Sequence, residues 1–157
     1  MAEIYLTRGG FEKLRKELEY LKNTKRREIS KAIGEARLQG DLSENAEYDA
    51  AKEAQGHCEA RIAELEGKLS NVRIIEDLNI PADKIYIGAR VTLLDVKSSE
   101  EVQYMLVSPE EADFEANKLS MLSPIGKGLM GKAVGQEVEL EVPAGKLKYK
   151  ILKIERP

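Results

Sequence analysis

The sequence is poor in cysteine and in aromatic residues. Its 157 residues include one cysteine, Cys58, and no tryptophan, and aromatic residues make up only 5% of the chain. A single cysteine excludes an intramolecular disulfide framework. Because 34% of the residues are charged and 42% are hydrophobic, the composition is typical of a soluble, helix-rich protein with a modest core.

Two further features are missing: long apolar runs and an excess of positive charge. No stretch approaches the ~18 apolar residues of a membrane span, and residues 1–14 contain no apolar signal core. We therefore expect a cytoplasmic protein without membrane association. The net charge is −3, whereas free-standing nucleic-acid binders are more basic. We therefore expect only a local patch of the surface to contact nucleic acid, once another contact has brought the protein to it.

Helical periodicity fills the first half of the chain. Apolar residues recur every three or four positions from Phe11 to about Gln39 and again from Ala51 onward, as on the apolar stripe of a helix. The two stripes mirror each other about a midpoint between Ser43 and Glu44. The mirrored pairs are Ala36 with Ala51, Ile33 with Ala54, Ile29 with Cys58, and Leu18 with Leu69. This symmetry predicts an antiparallel α-helical coiled-coil hairpin.

The predicted hairpin narrows toward its turn. Alanines line its seam near the turn and leucines line it at the base, and arms of roughly 30 residues would reach ~45 Å. A hairpin of this shape can enter a confined space. The alternative is an ordinary two-helix packing element, since long amphipathic helices are usually structural.

The second half of the chain changes to strand-like patterns. Asn79, Pro81 and Asp83 predict a linker, and "PAG", from Pro143 to Gly145, predicts a turn between the last two strands. The predicted strands are Arg90–Val96, Val102–Val107, Glu137–Val142 and Lys146–Ile154. The predicted fold class is therefore α+β, with a hairpin domain at residues 1–76, a linker at 77–84 and a small α+β domain at 85–157.

The predicted turn, residues 40–49, is crowded with carboxylates, which permit three interpretations. In the first, Asp41 or Ser43 is the N-cap of the second helix, with Glu44 completing a capping box for Asp41. In the second, the acids complete a Mg²⁺ site that belongs to a partner, because they are too few and too open for a tight site of their own. In the third, the charges match a basic cleft on a docking partner.

Two motifs give the sequence a family resemblance. "GDLSENAEYDAAKE", from Gly40 to Glu53, resembles the first signature of the bacterial Gre transcript cleavage factors. "SPIGKGLMGK", from Ser123 to Lys132, and the "VGQEVEL" that follows resemble the second. The resemblance covers nearly the whole chain. It is strongest to the GreA branch, because the second helix mixes acids with scattered bases.

The resemblance implies a fold and a mechanism. Gre factors have an N-terminal coiled coil and a C-terminal FKBP-like domain, which docks at the rim of the secondary channel of bacterial RNA polymerase. The coiled coil passes down the channel and stimulates the polymerase's own Mg²⁺-dependent cleavage of backtracked RNA, which rescues arrested elongation complexes. The resemblance thus implies an activator that is not itself an enzyme, and we expect a monomer.

The resemblance also implies roles for three residues of the tip. By motif position, Asp41 would help to hold the second Mg²⁺, and Glu44 would orient or deprotonate the attacking water with assistance from Ser43. Two basic residues, Arg37 and Lys52, flank the tip and are candidates to contact the 3′ end of the nascent RNA; the alternative for both is a solvated helix charge. We expect Mg²⁺ to be held jointly with the polymerase, with no cofactor bound tightly by the isolated protein.

Other functions stay open at this stage. A channel-binding inhibitory or docking factor would bind without stimulating cleavage, although the unaltered "DLSEN" sequence of the tip argues against this. An FKBP-like domain raises the possibility of prolyl isomerisation, for which the candidate rings are Tyr86, Tyr104, Phe114 and Tyr149. A structural coiled-coil adaptor would need the tip acids only for stability. A basic cluster on the first arm is either a solvated face or a contact with RNA or channel walls; it comprises Lys22, Lys25, Arg26, Arg27 and Lys31.

Overall fold

A computed structural model describes residues 3–40 and 45–157. The described chain divides into two compact units. The first is Phe11–Val72, and the second combines Glu3–Gly10 with Arg73–Pro157. Helices build the first unit, and a five-stranded sheet dominates the second. This arrangement confirms the predicted α+β class.

Two antiparallel arms form the helical unit, as the mirrored stripes predict. The first arm contains a π-helical turn, in which the backbone N–H of Arg26 donates to the carbonyl of Leu21. The second arm begins at Ala46, several residues before Ala51, the first residue of the predicted apolar stripe. The elements are α1 (Arg8–Tyr20), the π-helical turn (Leu21–Lys25), α2 (Arg26–Arg37) and α3 (Ala46–Leu69).

The seam between α2 and α3 is a small apolar core. Its buried members are Ile29, Ile33, Ala51, Cys58 and Ile62, and Leu18, Leu21 and Tyr48 pack against them. The prediction that Ala54 lies in this seam is wrong, because Ala54 is exposed and Gln55 is half-buried in its place. Buried and half-buried positions on α3 recur in steps of four and three through Ala51, Gln55, Cys58, Ile62 and Leu65. At ~3.6 residues per turn, Ala54 rotates off this stripe.

Two fork-shaped ion pairs join the arms of the hairpin. The Arg26 guanidinium donates to both carboxylate oxygens of Glu59, with N–O distances of 2.9 and 2.7 Å. Arg61 donates in the same way to Glu17, at 2.9 and 3.0 Å. Exposed pairs contribute little stability individually, but the planar two-bond geometry favours one alignment of the arms.

The second unit is built on a sheet with the strand order β5-β4-β3-β7-β6. Neighbouring strands are antiparallel except β4 and β5, which are parallel. A separate two-stranded sheet pairs β1 with β2. The strands are β1 (Ile4–Leu6), β2 (Val72–Ile74), β3 (Arg90–Asp95), β4 (Glu101–Val107), β5 (Lys118–Ser120), β6 (Glu137–Val142) and β7 (Gly145–Glu155). The four predicted strands are β3, β4, β6 and β7, and β1, β2 and β5 are additional.

A short helix, α4 (Pro124–Leu129), packs on the core of the sheet. The Ser123 hydroxyl caps it by accepting from the backbone N–H of Gly126 at 3.0 Å. Gly126 lies inside α4. A Cβ on Gly126 would collide with the carbonyl oxygen of Ser120, so glycine permits this close approach. The fully buried core side chains are Ile85, Val91, Leu93, Leu106, Leu129 and Ile151.

The N-terminal segment is fastened to the second unit by carboxylates. The backbone N–H of Thr7 donates to Glu111 at 2.8 Å, and the Thr7 hydroxyl donates to the other oxygen of that carboxylate. The Thr7 hydroxyl in turn accepts from the backbone N–H of Gly10. The N–H of Arg8 donates to Glu76 at 2.9 Å. Negative groups near a helix N-terminus are favourable, so these contacts stabilise the start of α1. Throughout residues 3–40 and 45–157, every helix is too short or too polar to span a bilayer.

Candidate functional site at the hairpin end

The first arm ends in a tight turn. The backbone N–H groups of Leu38 and Gln39 donate to the carbonyls of Glu35 and Ala36, both at 3.2 Å. Gly40 follows with φ +113°, in the region where glycine is favoured because it has no Cβ. The helix therefore stops at Arg37, four residues before Asp41, the first acid of the acidic segment, residues 41–49.

Asn45 begins the second arm and also closes onto the first. Its Oδ1 accepts from the backbone N–H of Tyr48 at 3.1 Å, which makes it the N-cap of α3. Its Nδ2 donates to the carbonyl oxygen of Ala36 at 2.6 Å. This carbonyl lies in the last turn of α2 and also accepts from the backbone N–H of Gln39. One amide therefore binds backbone groups at the ends of both helices.

This finding corrects the predicted cap. The N-cap of α3 is Asn45, and not Asp41 or Ser43. The physical reason is that the helix begins at Ala46, so only the residue directly before it can reach the free N–H groups of the first turn. Asp41, Ser43 and Glu44 themselves lie outside the described residues. Asn45 was missed because the sequence Asp-x-x-Glu matched a capping box more strongly than a lone asparagine.

The described part of the hairpin end has exposed side chains of both positive and negative charge. Arg37 and Lys52 lie on the exposed surfaces of α2 and α3 on either side of the acidic segment. The Lys52 ammonium donates to the side chain of Gln55 at 2.8 Å. Glu47 and Asp49 occupy the first turn of α3, a position favoured by the helix dipole. Sequence reasoning missed Leu38, which is 87% exposed and follows the last buried position of α2.

Acidic partners surround the basic cluster of the first arm. Arg26 pairs with Glu59, and Lys22 pairs with Glu66 at 3.6 Å. Lys25 and Lys31 approach Glu28 and Glu35 at 4.0 and 3.9 Å. Hydrogen bonding to Arg26 also lowers the pKa of Glu59 below its ordinary value. These contacts favour the interpretation of a solvated, ion-paired face.

The described residues contain no cluster of metal ligands. Across residues 3–40 and 45–157, no three His, Cys, Asp or Glu side chains come together in an arrangement that would hold a metal ion. The two acids expected to contact Mg²⁺, Asp41 and Glu44, fall in the gap between these ranges. Their carboxylate oxygens are the ligand type that Mg²⁺ prefers, so the residue types fit the expected ion.

Two of the rings considered for prolyl isomerisation differ in burial. Tyr149 is buried in the sheet core, where burial raises the pKa of its phenol. Phe114 lies on a short 3₁₀ turn with 74% of its surface exposed. One ring is thus inside the core, against which Tyr104 also packs, and the other stands in solvent.

Comparisons with known proteins agree over nearly the entire chain. Residues 4–74 match the family model of the N-terminal domain of transcription elongation factors, and residues 80–156 match that of the GreA/GreB C-terminal domain. The chain belongs to the GreA/GreB family of transcription elongation factors. The transcription elongation factor GreA of Chloroherpeton thalassium is 51% identical over 96% of this chain and 95% of its own. GreA of Pasteurella multocida is 49% identical over 99% of both chains.

Solved structures of the family are also similar to this chain. GreA factor homolog 1 of Thermus thermophilus shares 33% identity over 98% of this chain and 99% of its own, with a TM-score of 0.45. The GreA/GreB factor of Nitrosomonas europaea shares 22% identity over 98% of both chains, with a TM-score of 0.43.

Proposed function

We propose that this Gre-family factor inserts its helical hairpin into the secondary channel of RNA polymerase and stimulates cleavage of backtracked RNA. The polymerase performs the hydrolysis, and the factor supplies side chains that its active site lacks. The factor acts as a monomer in the cytoplasm on the arrested elongation complex. Its partners are the polymerase and the 3′ end of the nascent RNA.

The observation that carries this proposal is the position of Asn45. Because Asn45 caps α3 and also binds the carbonyl of Ala36, the ends of the hairpin do not need Asp41 or Glu44 for capping. Two acids only three positions apart in the sequence, Asp41 and Glu44, repel each other unless something compensates their charges. A function outside the isolated protein explains their presence better than local stability does.

The three tip residues have distinct roles in the proposed reaction. Asp41 holds the second Mg²⁺ together with the polymerase. Glu44 accepts a proton from the attacking water or orients it, and Ser43 assists through its hydroxyl. When bound, the metal pair activates the water and stabilises charge on the leaving oxygen of the phosphodiester. Carboxylates suit this task, because their oxygens are ligands that Mg²⁺ prefers and the polymerase provides the remaining ones.

Two cations would guide the RNA toward the tip. Arg37 is the last residue of α2, and Lys52 lies in the second turn of α3. Both side chains are exposed, which suits contact with phosphate oxygens. The basic cluster farther along the first arm is largely paired with acids. We therefore assign RNA contact to Arg37 and Lys52.

A transcript-cleavage assay tests the proposal. Purified polymerase is stalled on a template and allowed to backtrack, and the factor is added with Mg²⁺. The expected result is loss of a short fragment from the 3′ end of the RNA, followed by renewed elongation. A factor that binds the polymerase while leaving the RNA intact would instead be a channel-binding inhibitory or docking factor.

A further inference from the structure

The second unit contains a groove of about 470 Å³ that the proposed function does not use. Its walls come from segments far apart in the sequence, all of which belong to this unit. Aliphatic side chains form one part of the wall, and two cations form another. These six residues are Ile75, Leu78, Ile80, Met105, Lys118 and Arg156.

Arg156 is held in place by a backbone carbonyl and has no carboxylate partner among the described residues. Its Nη1 donates to the carbonyl of Ile87 at 2.6 Å. The guanidinium lies against the backbone of Gly88, where a Cβ would come within 3.1 Å of Nη2. Partial burial lowers the pKa of Arg156, as expected for a cation that has lost water without gaining an anion.

Lys118 adds a second cation to the same groove. Its side chain is half-buried. Within the described part of the chain, neither Lys118 nor Arg156 has a carboxylate oxygen within 4.0 Å. The acid in the groove wall, Glu76, already accepts from the backbone N–H of Arg8. The two cations are therefore available to a negatively charged ligand.

The side chains that line the groove favour a peptide over a nucleotide as its ligand. Among the described lining residues there is no aromatic ring, so a nucleobase would find no aromatic side chain to stack on. Aliphatic walls formed by Leu78, Ile80 and Met105 fit a leucine or isoleucine side chain. A guanidinium whose N–H groups form a planar fork fits a carboxylate.

We propose that this groove binds a segment of a partner protein in which an acidic residue stands beside an aliphatic one. The carboxylate contacts Arg156 and Lys118, and the aliphatic side chain packs on Leu78, Ile80 and Met105. Arg156 is already anchored through Ile87, so little side-chain freedom is lost on binding.

Amide chemical-shift mapping on the ¹⁵N-labelled full chain tests this proposal. The probe is the capped tetrapeptide acetyl-Asp-Leu-Glu-Ile-amide, and its neutral match is acetyl-Asn-Leu-Gln-Ile-amide. Sodium phosphate serves as a simple anion. We expect the acidic peptide to shift the amides of Gly88 and Met105 in a saturable manner. We expect much smaller shifts from the neutral peptide and from phosphate.

Variants connect the shifts to the two cations. Arg156→Gln should weaken binding of the acidic peptide by about tenfold or more, because a charge-assisted fork is lost. Lys118→Gln should weaken it less, and it provides a second test should Arg156→Gln fold poorly. Lys153→Gln is the matched control, since it removes one exposed charge from β7 outside the groove and should change affinity less than about twofold.

Three results would overturn the proposal. The first is the absence of shifts at Gly88 and Met105 with the acidic peptide. The second is equal binding by Arg156→Gln, Lys118→Gln and the unaltered chain. The third is an equally strong response to phosphate, which would show a simple anion site without a peptide preference.

Discussion

The side chain of Asn45 donates a hydrogen bond to the carbonyl oxygen of Ala36 at 2.6 Å, which ties the start of α3 to the end of α2. Ala36 is only 2% exposed, so this contact lies on the seam of the hairpin. The same amide caps α3. A neutral residue therefore joins the ends of the two arms.

Removing this amide should destabilise the hairpin. Asn45→Ala loses the cap and leaves the Ala36 carbonyl without its side-chain donor, so we expect a loss of about 1–2 kcal/mol in the free energy of unfolding. Asn45→Asp keeps the acceptor and should lose less. Urea unfolding followed by far-ultraviolet circular dichroism measures both. Equal stability of Asn45→Ala and the unaltered chain would contradict the capping role.

The carboxylate of Glu111 should stabilise the second unit. Glu111→Gln weakens two hydrogen bonds from Thr7, and we expect a loss of about 1–2 kcal/mol because bonds to a charged acceptor are the stronger kind. Glu115→Gln, on the exposed 3₁₀ turn nearby, removes the same charge and should change stability by less than about 0.5 kcal/mol. Thermal unfolding of the two variants compares them, and equal losses would refute a specific role for Glu111.

Two glycine-to-alanine changes should have opposite signs. At Gly126 the new Cβ would collide with the backbone oxygen of Ser120, so Gly126→Ala should destabilise the second unit by about 1–3 kcal/mol. Gly56 lies on α3, and a Cβ added there would have no neighbouring atom within 4 Å, so Gly56→Ala should stabilise the helix by up to about 1 kcal/mol. Chemical denaturation gives both values. The same sign for the two changes would be inconsistent with this packing.

The ion pair between Arg26 and Glu59 should be visible in a pH titration. Arg26 lowers the pKa of Glu59 through its hydrogen bonds, so this pair stabilises the folded chain above the unfolded-state pKa of the glutamate. That contribution is lost as the pH falls through the lower folded-state pKa. Carboxyl-carbon NMR should report a lowered pKa for Glu59 and its return toward the ordinary value in Arg26→Gln. An unchanged pKa in the variant would show that the pair does not persist in solution.

Much of the fold follows from local patterns in the sequence. The apolar stripes of α2 and α3 and the alternation in β6 and β7 are long enough to carry a clear period. The strands β1, β2 and β5 have three residues each, which is too short for any period. Their pairing also depends on distant partners, as does the association of Glu3–Gly10 with residues 73–157.

The candidate site was only partly predictable, because some of its features depend on where the helices begin and on tertiary packing. The acids of the tip stand out in the sequence because they interrupt two helical patterns. The role of Asn45 depends on where α3 begins, and a shift of a few residues transfers the cap to a different side chain. The groove around Arg156 has no sequence signal at all, because its walls are assembled from separate segments by tertiary packing.

The most direct test of the central claim is a comparison of tip variants in the transcript-cleavage assay. Asp41→Asn and Glu44→Gln should each slow stimulated cleavage by about a hundredfold or more, while still competing with the unaltered factor for the polymerase. Glu47→Gln, which removes an exposed acid from the first turn of α3, should cleave at nearly the unaltered rate. If all four proteins stimulate cleavage equally, the tip acids do not take part in the reaction and the proposed mechanism is wrong.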